Sequence, residues 1–140
     1  MNHPISIHTA DQTLITKAKS LACELGFTFS SQPLQDDAPW LELTHAGLQL
    51  HTPWFPNSQP LAIDFLQGES HHRLQYGGGK GQMIARAIGI KPHITPRVLD
   101  LTAGLGKDGM LLATLGCDIT LVERSPILFA LLRDGIHRAT

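Results

Sequence analysis

The sequence predicts an α/β protein in which a small α+β module precedes the start of a parallel sheet. Two observations support this fold class. The first 66 residues combine short strand patterns with one helical stripe, whereas residues 97–140 alternate strand, helix, strand and helix. Alternation of the second kind is typical of parallel strands joined by crossover helices. The predicted segments are an N-terminal module (residues 1–68), a basic connection (residues 69–96) and a β-α-β-α unit (residues 97–140).

The N-terminal module is predicted to hold one helix and five strands. In the helix, residues 11–25, six apolar side chains fall on one face at helical spacing, and Gly26 can end it. The strands are short stretches bounded by turn residues, and two of them form a hairpin around His45 and Ala46. The strands cover residues 5–9, 27–30, 40–44, 47–51 and 61–65.

The basic side chains of the chain are concentrated in and next to the connection. Residues 71–97 hold five lysines and arginines and no acidic residue, whereas residues 1–70 hold two lysines and seven acidic residues. The whole chain has a net charge of −1. A basic stretch without acids can contact phosphate groups, with a solvated loop and helix face as the alternative. A helix is predicted from Met83 to about Gly89. The candidates for contact with RNA phosphates are Arg73, Lys80 and Arg86.

Several classes of protein do not match the composition. There is no apolar run of about 18 residues, and the N-terminus lacks the basic and apolar regions of a signal peptide, so we expect a cytoplasmic protein without a membrane span. Cys23 and Cys117 match no metal spacing, and we expect both to be buried, reduced thiols. The adjacent His71 and His72 lack the further ligands of a metal site, so no metal is predicted.

A glycine-rich turn, residues 103–106, follows the predicted strand 97–102 and precedes the predicted helix 107–116. From Gly104 onward the chain matches the G-x-G-x-x-G pattern of dinucleotide-binding proteins letter for letter. Glycine permits a tight turn and a close approach of the backbone, and a helix N-terminus favours a polar or anionic ligand. The pattern indicates a nucleotide-like cofactor bound against Gly104 and Gly106.

Two carboxylates indicate which cofactor fits. Asp100 lies four residues before Gly104, where a carboxylate repels the pyrophosphate of NAD and attracts the positive ammonium group of S-adenosylmethionine (SAM). Glu123 ends the next predicted strand, residues 118–123, which precedes a predicted helix at residues 126–139. A carboxylate there can accept hydrogen bonds from the ribose hydroxyls of either cofactor. Asp100 therefore favours SAM over NAD.

Each of the candidate side chains also has a purely structural interpretation. Backbone amides can satisfy Asp100, and Glu123 can be a charge at a strand end. Asp108 can cap the helix after the turn. Lys107 can be solvated, and Arg124 can pair with a neighbouring acid.

Three stretches resemble the RsmJ family of ribosomal RNA small-subunit methyltransferases, most clearly over residues 62–139. They read HHRLQYGGGKGQMIARAIGIK, VLDLTAGLGKDGMLLATLGCDITLVERSP and LLRDGIHRA. The resemblance implies the start of a class I, Rossmann-like sheet and methyl transfer from SAM to the N2 amine of a guanosine in the 16S rRNA of the small ribosomal subunit. It also implies cofactor contacts by Lys107, Asp108, Glu123 and Arg124.

The sequence departs from the family in one respect. Only the first two strands of the family's sheet are recognisable, and no Asp-Pro-x-aromatic segment, which faces the target amine, occurs before Thr140. We therefore expect the catalytic residues to lie beyond Thr140 and the 140-residue chain to be inactive on its own. Two alternatives stay open, an NAD-binding oxidoreductase domain and a fragment that binds cofactor or RNA without catalysis.

Overall fold

The structure is a computed structural model that describes residues 5–32, 38–54, 58–67 and 83–140. The strands are β1 (Ser6–His8), β2 (Thr28–Ser30), β3 (Trp40–Thr44), β4 (Gly47–His51), β5 (Leu61–Ala62), β6 (Arg97–Asp100) and β7 (Asp118–Leu121). The α-helices are α1 (Ile15–Leu25), α2 (Met83–Ala87), α3 (Lys107–Thr114) and α4 (Pro126–Ala139). A short 3-10 helix, Gln12–Leu14, leads into α1.

The N-terminal sheet contains the first five strands in the order β2-β1-β3-β4-β5. β1 pairs parallel with both β2 and β3, and the β3–β4 hairpin aligns Trp40 with His51. The predicted hairpin and the predicted helix are confirmed. The strand predicted at residues 61–65 pairs only over Leu61 and Ala62, because the Ile63 carbonyl accepts a hydrogen bond from Arg138 of α4 instead of from a strand.

The second sheet consists of β6 and β7, which pair parallel from Arg97 with Asp118 to Asp100 with Leu121. This arrangement confirms the β-α-β-α alternation. Both strands end two residues earlier than predicted, because the chain turns after Asp100 and is then held by single hydrogen bonds. The Val122 N–H donates to the Asp100 carbonyl at 2.8 Å, and the Ala103 N–H donates to the Val122 carbonyl at 3.0 Å.

One hydrophobic core joins the N-terminal sheet to the β-α-β-α unit. α4 packs against β4, and its arginine Arg133 reaches Glu24 of α1 at 2.6 Å. Ala103 of the glycine turn belongs to the same core. The buried members from the N-terminal module and from α4 include Ile7, Ala18, Leu41, Leu43, Ile63, Phe65, Ala130, Leu131 and Leu132. Because burial of apolar surface is the main stabilising contribution to folding, the two parts of the chain stabilise each other.

The two cysteines differ in environment. Cys117 is buried in a smaller apolar cluster under α2, whereas Cys23 is exposed on α1, so the expectation of two buried thiols is wrong for Cys23. Cys23 lies outside the apolar stripe through which α1 packs against the sheet.

No helix in the described residues is long and apolar enough to span a membrane, and those residues contain no group of His, Cys, Asp and Glu suited to a metal. His71 and His72 lie outside the described residues.

Candidate cofactor site

The glycine turn lies at the carboxyl ends of β6 and β7, directly before α3. Gly104 and Gly106 adopt left-handed backbone angles, with φ of +53° and +71°. At Gly106 a Cβ atom would overlap Leu132 Cδ1 and lie 3.3 Å from Phe65 Cζ. Both the backbone angle and the available space therefore require glycine at Gly106.

Gly109 serves a different purpose, one turn into α3. A Cβ atom there would overlap Leu121 Cδ2 of β7. Its absence lets the helix approach the sheet closely, which is the role of the third glycine in this kind of turn.

Asp100 ends β6 and faces the turn. Its Oδ1 accepts a hydrogen bond from the Thr102 N–H at 2.9 Å. Its Oδ2 makes no hydrogen bond among the described residues. The structural interpretation of Asp100 thus accounts for one carboxylate oxygen and, among the described residues, not for the other.

Glu123 follows β7 and uses both carboxylate oxygens to bind backbone amides. Oε1 accepts a hydrogen bond from the Ser125 N–H at 2.7 Å, and Oε2 accepts one from the Gly104 N–H at 2.8 Å. These bonds hold the pKa of the Glu123 carboxyl below its ordinary value, and the charge of Arg124 adds a smaller effect in the same direction. Glu123 is therefore ionised at neutral pH, and each oxygen keeps a lone pair for a further donor.

A cleft of about 430 Å³ lies between β6, the start of α3 and α2. Its polar side is formed by Asp100, Thr102, Lys107 and Asp108. Ile84 and Ile88 of the α2 region contribute to its apolar side. The structure thus brings three predicted cofactor residues, Asp100, Lys107 and Asp108, to one cleft.

Glu123 does not line this cleft, but it binds the Gly104 N–H of the glycine turn. It borders a second cavity of about 340 Å³ that is mainly apolar and is formed largely by α4. The predicted residues thus border two cavities, with Asp100, Lys107 and Asp108 at the first and Glu123 at the second. Lys107 and Arg124 are both exposed. Asp108 is exposed in the first turn of α3, where a negative charge is favourable.

Thr102, Ile84 and Ile88 also border this cleft, although local sequence patterns did not predict it. Ile84 and Ile88 are four residues apart on one helical face, which signals a buried stripe but not its partner. Their contact with the cleft depends on the return of the chain from α2 to β6. Arg86 is exposed at the end of α2, whereas Arg73 and Lys80 lie outside the described residues.

Several curated relatives of this chain share one name. The chain is 54% identical over 99 residues to ribosomal RNA small subunit methyltransferase J of Stutzerimonas stutzeri, covering 71% of this chain and 38% of that protein. It is 48% identical over 122 residues to the protein of the same name from Pseudomonas paraeruginosa, covering 87% and 46%. It is 41% identical over 139 residues to that of Coxiella burnetii, covering 99% and 55%. The chain spans about half the length of the curated relatives it matches.

A solved structure shows the same fold. A SAM-dependent methyltransferase from Neisseria gonorrhoeae superposes with a TM-score of 0.76 at 30% identity, covering 96% of this chain and 52% of that one. The resemblance to the RsmJ family and the predicted Rossmann-like fold class are confirmed. The family model described as putative SAM-dependent methyltransferase matches residues 24–140. The chain therefore belongs to the SAM-dependent methyltransferase family.

Proposed function

We propose that this chain forms the cofactor-binding part of an enzyme that methylates the N2 amine of a guanosine in 16S rRNA. The observation that carries the proposal is the placement of Asp100, the glycine turn and Glu123 at the carboxyl ends of two parallel strands. Ligands of open α/β sheets bind at this edge. The names of the relatives support ribosomal RNA as the substrate. A cytoplasmic location follows from that substrate.

The residues present fit SAM. The Oδ2 of Asp100, which makes no hydrogen bond among the described residues, suits its ammonium group, and the ionised Glu123 suits its ribose hydroxyls. The left-handed Gly104 and Gly106 allow the backbone to approach the ligand without a side chain between them. When bound, SAM supplies an activated methyl group on its sulfonium. The role of this chain is to bind and orient that donor.

Three further side chains complete the proposed site. Lys107 and Asp108 border the cleft at the start of α3, which supports contacts of both side chains with polar groups of the cofactor. Arg124 favours the ionised form of Glu123 and so supports its acceptor role. None of these contacts requires a metal.

The proposed contacts with RNA come from the basic connection. Arg86 is exposed on α2, the helix whose Ile84 borders the cleft, and a phosphate held by Arg86 would lie on the face of that helix turned away from the cleft. Arg73 and Lys80 extend the basic character along the sequence. Lysine and arginine contacts to phosphates supply most of the affinity for nucleic acid without reading its sequence.

Calorimetric titration of this chain with S-adenosylhomocysteine tests the cofactor site, with NADH titrated in parallel. We expect saturable binding of S-adenosylhomocysteine that Glu123→Ala abolishes. Glu24→Ala, which removes an exposed acid on α1, serves as the matched control and keeps the affinity. Binding of NADH in place of S-adenosylhomocysteine would overturn the proposal. Binding of neither would show that these 140 residues do not form the site.

Catalysis is tested separately. Incubation of this chain with SAM and small ribosomal subunits is expected to give cofactor binding without methyl transfer, because no Asp-Pro-x-aromatic segment is present in the 140 residues. Turnover by this chain would contradict that expectation and would place the catalytic groups within it. Absence of both binding and turnover would favour a fragment that contacts RNA only.

A further inference from the structure

We infer that the segment Ile63–Phe65 of the N-terminal module is a positioning element that fixes the glycine turn for the cofactor. The expected effect on cofactor binding rests on the proposed function, whereas the packing of this segment on the glycine turn is a property of the free protein. It gives the N-terminal module a role in the cofactor site, although that module contributes no cofactor ligand.

The first contact joins Phe65 to the end of the glycine turn. Phe65 is 3% exposed, and its ring lies against the open side of Gly106, where a Cβ atom would be 3.3 Å from Cζ. Leu132 of α4 contacts the same residue. The Gly106 N–H donates to the Ala103 carbonyl at 2.8 Å, and the Gly106 carbonyl accepts from the Met110 N–H at 2.9 Å. Phe65 therefore packs on the residue that closes the turn and begins α3.

The second contact holds the segment itself against α4. Ile63 lies so close to Gly135 that a Cβ atom there would be 2.6 Å from Ile63 Cγ2 and 2.9 Å from the Ile63 carbonyl oxygen. The guanidinium of Arg138 donates to that same carbonyl. Asp134 accepts from Arg138 Nε at 2.9 Å and from the Leu48 N–H at 3.0 Å. The backbone at Ile63 is thereby tied both to α4 and, through Asp134, to β4.

The third contact returns from α4 to the other end of the turn. Ser125 caps α4, and its N–H binds the same Glu123 carboxylate that binds the Gly104 N–H. Gly104 is thus fixed by Glu123, and Gly106 is fixed by Phe65 and Leu132. Both ends of the turn are thus connected to one helix, α4. At the Gly106 end, the N-terminal module adds a second contact through Phe65.

This support is needed because the turn does not determine its own conformation. Glycine populates several backbone regions about equally, so packing must select the one that binds the cofactor. A site that binds through backbone groups tolerates only small displacements, and a supporting residue far from the ligand can change affinity strongly. Removing the Phe65 ring is therefore expected to loosen the Gly106 end of the turn and to leave the Gly104 end held by Glu123.

Amide hydrogen exchange of the free protein tests the inference. In Phe65→Ala, exchange at the Gly106 and Met110 amides should accelerate about tenfold relative to the Val122 amide of the same unit. The reason is that loss of the ring lowers the free energy of local opening at the Gly106 end of the turn. Leu43→Ala is the matched control, since Leu43 is 2% exposed in the same core but lies on β3. Leu43→Ala should accelerate exchange at the Gly106, Met110 and Val122 amides to the same extent.

A conservative variant keeps the test decisive if Phe65→Ala does not fold. Phe65→Leu retains an apolar side chain and should show a smaller acceleration at the same two amides. Equal patterns in the Phe65 variants and in Leu43→Ala would overturn the inference and make Phe65 an ordinary core residue.

Titration with S-adenosylhomocysteine connects the contact to the site. Phe65→Ala should weaken binding about tenfold while Leu43→Ala leaves it unchanged, and Phe65→Leu should recover most of the affinity. If the unaltered chain does not bind S-adenosylhomocysteine, the proposed function fails, whereas the exchange pattern still decides the role of Phe65. Unchanged affinity in Phe65→Ala would contradict the inference.

Discussion

The Glu123 carboxylate joins the glycine turn to the first residues of α4. Oε2 binds the Gly104 N–H at 2.8 Å and Oε1 binds the Ser125 N–H at 2.7 Å. One side chain therefore holds the ends of two parallel strands together, and its oxygens keep further acceptor lone pairs at the same place.

Glu123→Gln should remove a pH-dependent contribution to stability. The amides of Ser125 and Gly104 lower the pKa of the Glu123 carboxyl, so the native state binds this proton less tightly than the unfolded chain does. The contribution is present above the ordinary glutamate pKa of about 4.3 and is lost as the pH falls through the lower native pKa. Thermal unfolding measured from neutral to acidic pH should show the gap between the native chain and the variant closing in acid. Glu24→Gln, an exposed control, should show no such closure, and a pH-independent gap for Glu123→Gln would contradict the assignment.

Gly106→Ala should destabilise the protein more than Gly26→Ala. The two glycines have nearly equal φ, +71° and +70°, so the cost of the left-handed backbone, about 1–2 kcal/mol, is shared. At Gly26 nothing lies within 4 Å of the added methyl group, whereas at Gly106 it meets Leu132 and Phe65. Overpacking adds about 1–3 kcal/mol, which urea denaturation should detect as the difference between the variants. Equal losses would mean that the packing at Gly106 adjusts freely.

Asp134→Ala should cost about 1–3 kcal/mol, because the Leu48 N–H and the Arg138 guanidinium lose a shared, largely buried acceptor. Glu24→Ala breaks the exposed pair with Arg133 and should cost at most about 1 kcal/mol. Equilibrium unfolding of the two variants measures this contrast. A loss in Asp134→Ala no larger than in Glu24→Ala would show that α4 is not held to the N-terminal sheet by this contact.

Asp100→Asn should weaken S-adenosylhomocysteine binding about tenfold with little change in stability. Asparagine keeps the oxygen that accepts from the Thr102 N–H but loses the charge that attracts the ammonium group of the ligand. Asp118→Asn changes an exposed acid at the opposite end of the same strand pair, where it faces Arg97 at 3.2 Å. Calorimetry should find the affinity unchanged in that control. An unchanged affinity in Asp100→Asn would show that Asp100 has only a structural role, as the acceptor for the Thr102 N–H.

Neutralising Arg73, Lys80 and Arg86 together should weaken binding to ribosomal RNA and flatten its dependence on salt. Each lost phosphate contact lowers the slope of log affinity against log salt by about 0.7–0.9. Neutralising Lys17 and Lys19 of α1 should leave the slope unchanged. Fluorescence anisotropy with a labelled fragment of 16S rRNA at several salt concentrations measures both slopes. Equal salt slopes for the two sets of variants would show that the basic connection is a solvated surface that does not bind RNA.

Local patterns were sufficient to locate the glycine turn and its carboxylates. Gly104 and Gly106 are left-handed as a tight turn requires, and Asp100 and Glu123 both lie at the strand ends beside it. These features depend on residues close in sequence and on the parallel pairing of two neighbouring strands. Their positions could therefore be predicted, whereas the hydrogen bonds of Glu123 to two amides could not.

The contacts that support the turn involve residues far apart in sequence. Nothing in the sequence around Phe65 or Ile63 indicates that they pack on Gly106 and Gly135, since any buried aromatic or β-branched residue has the same local pattern. The predicted strand at 61–65 was too long for the same reason, because α4 rather than a strand binds the Ile63 carbonyl.

By itself the sequence determined the order of strands and helices, the family and the positions of the glycine turn and of the carboxylates beside it, because these depend on local periodicity, turn chemistry and motif spacing. Only the tertiary structure decided that α4 joins the N-terminal sheet to the glycine turn and that Ile84 and Ile88 border the cleft. Such contacts arise from the complementary shapes of distant apolar surfaces, which close packing selects and periodicity does not encode.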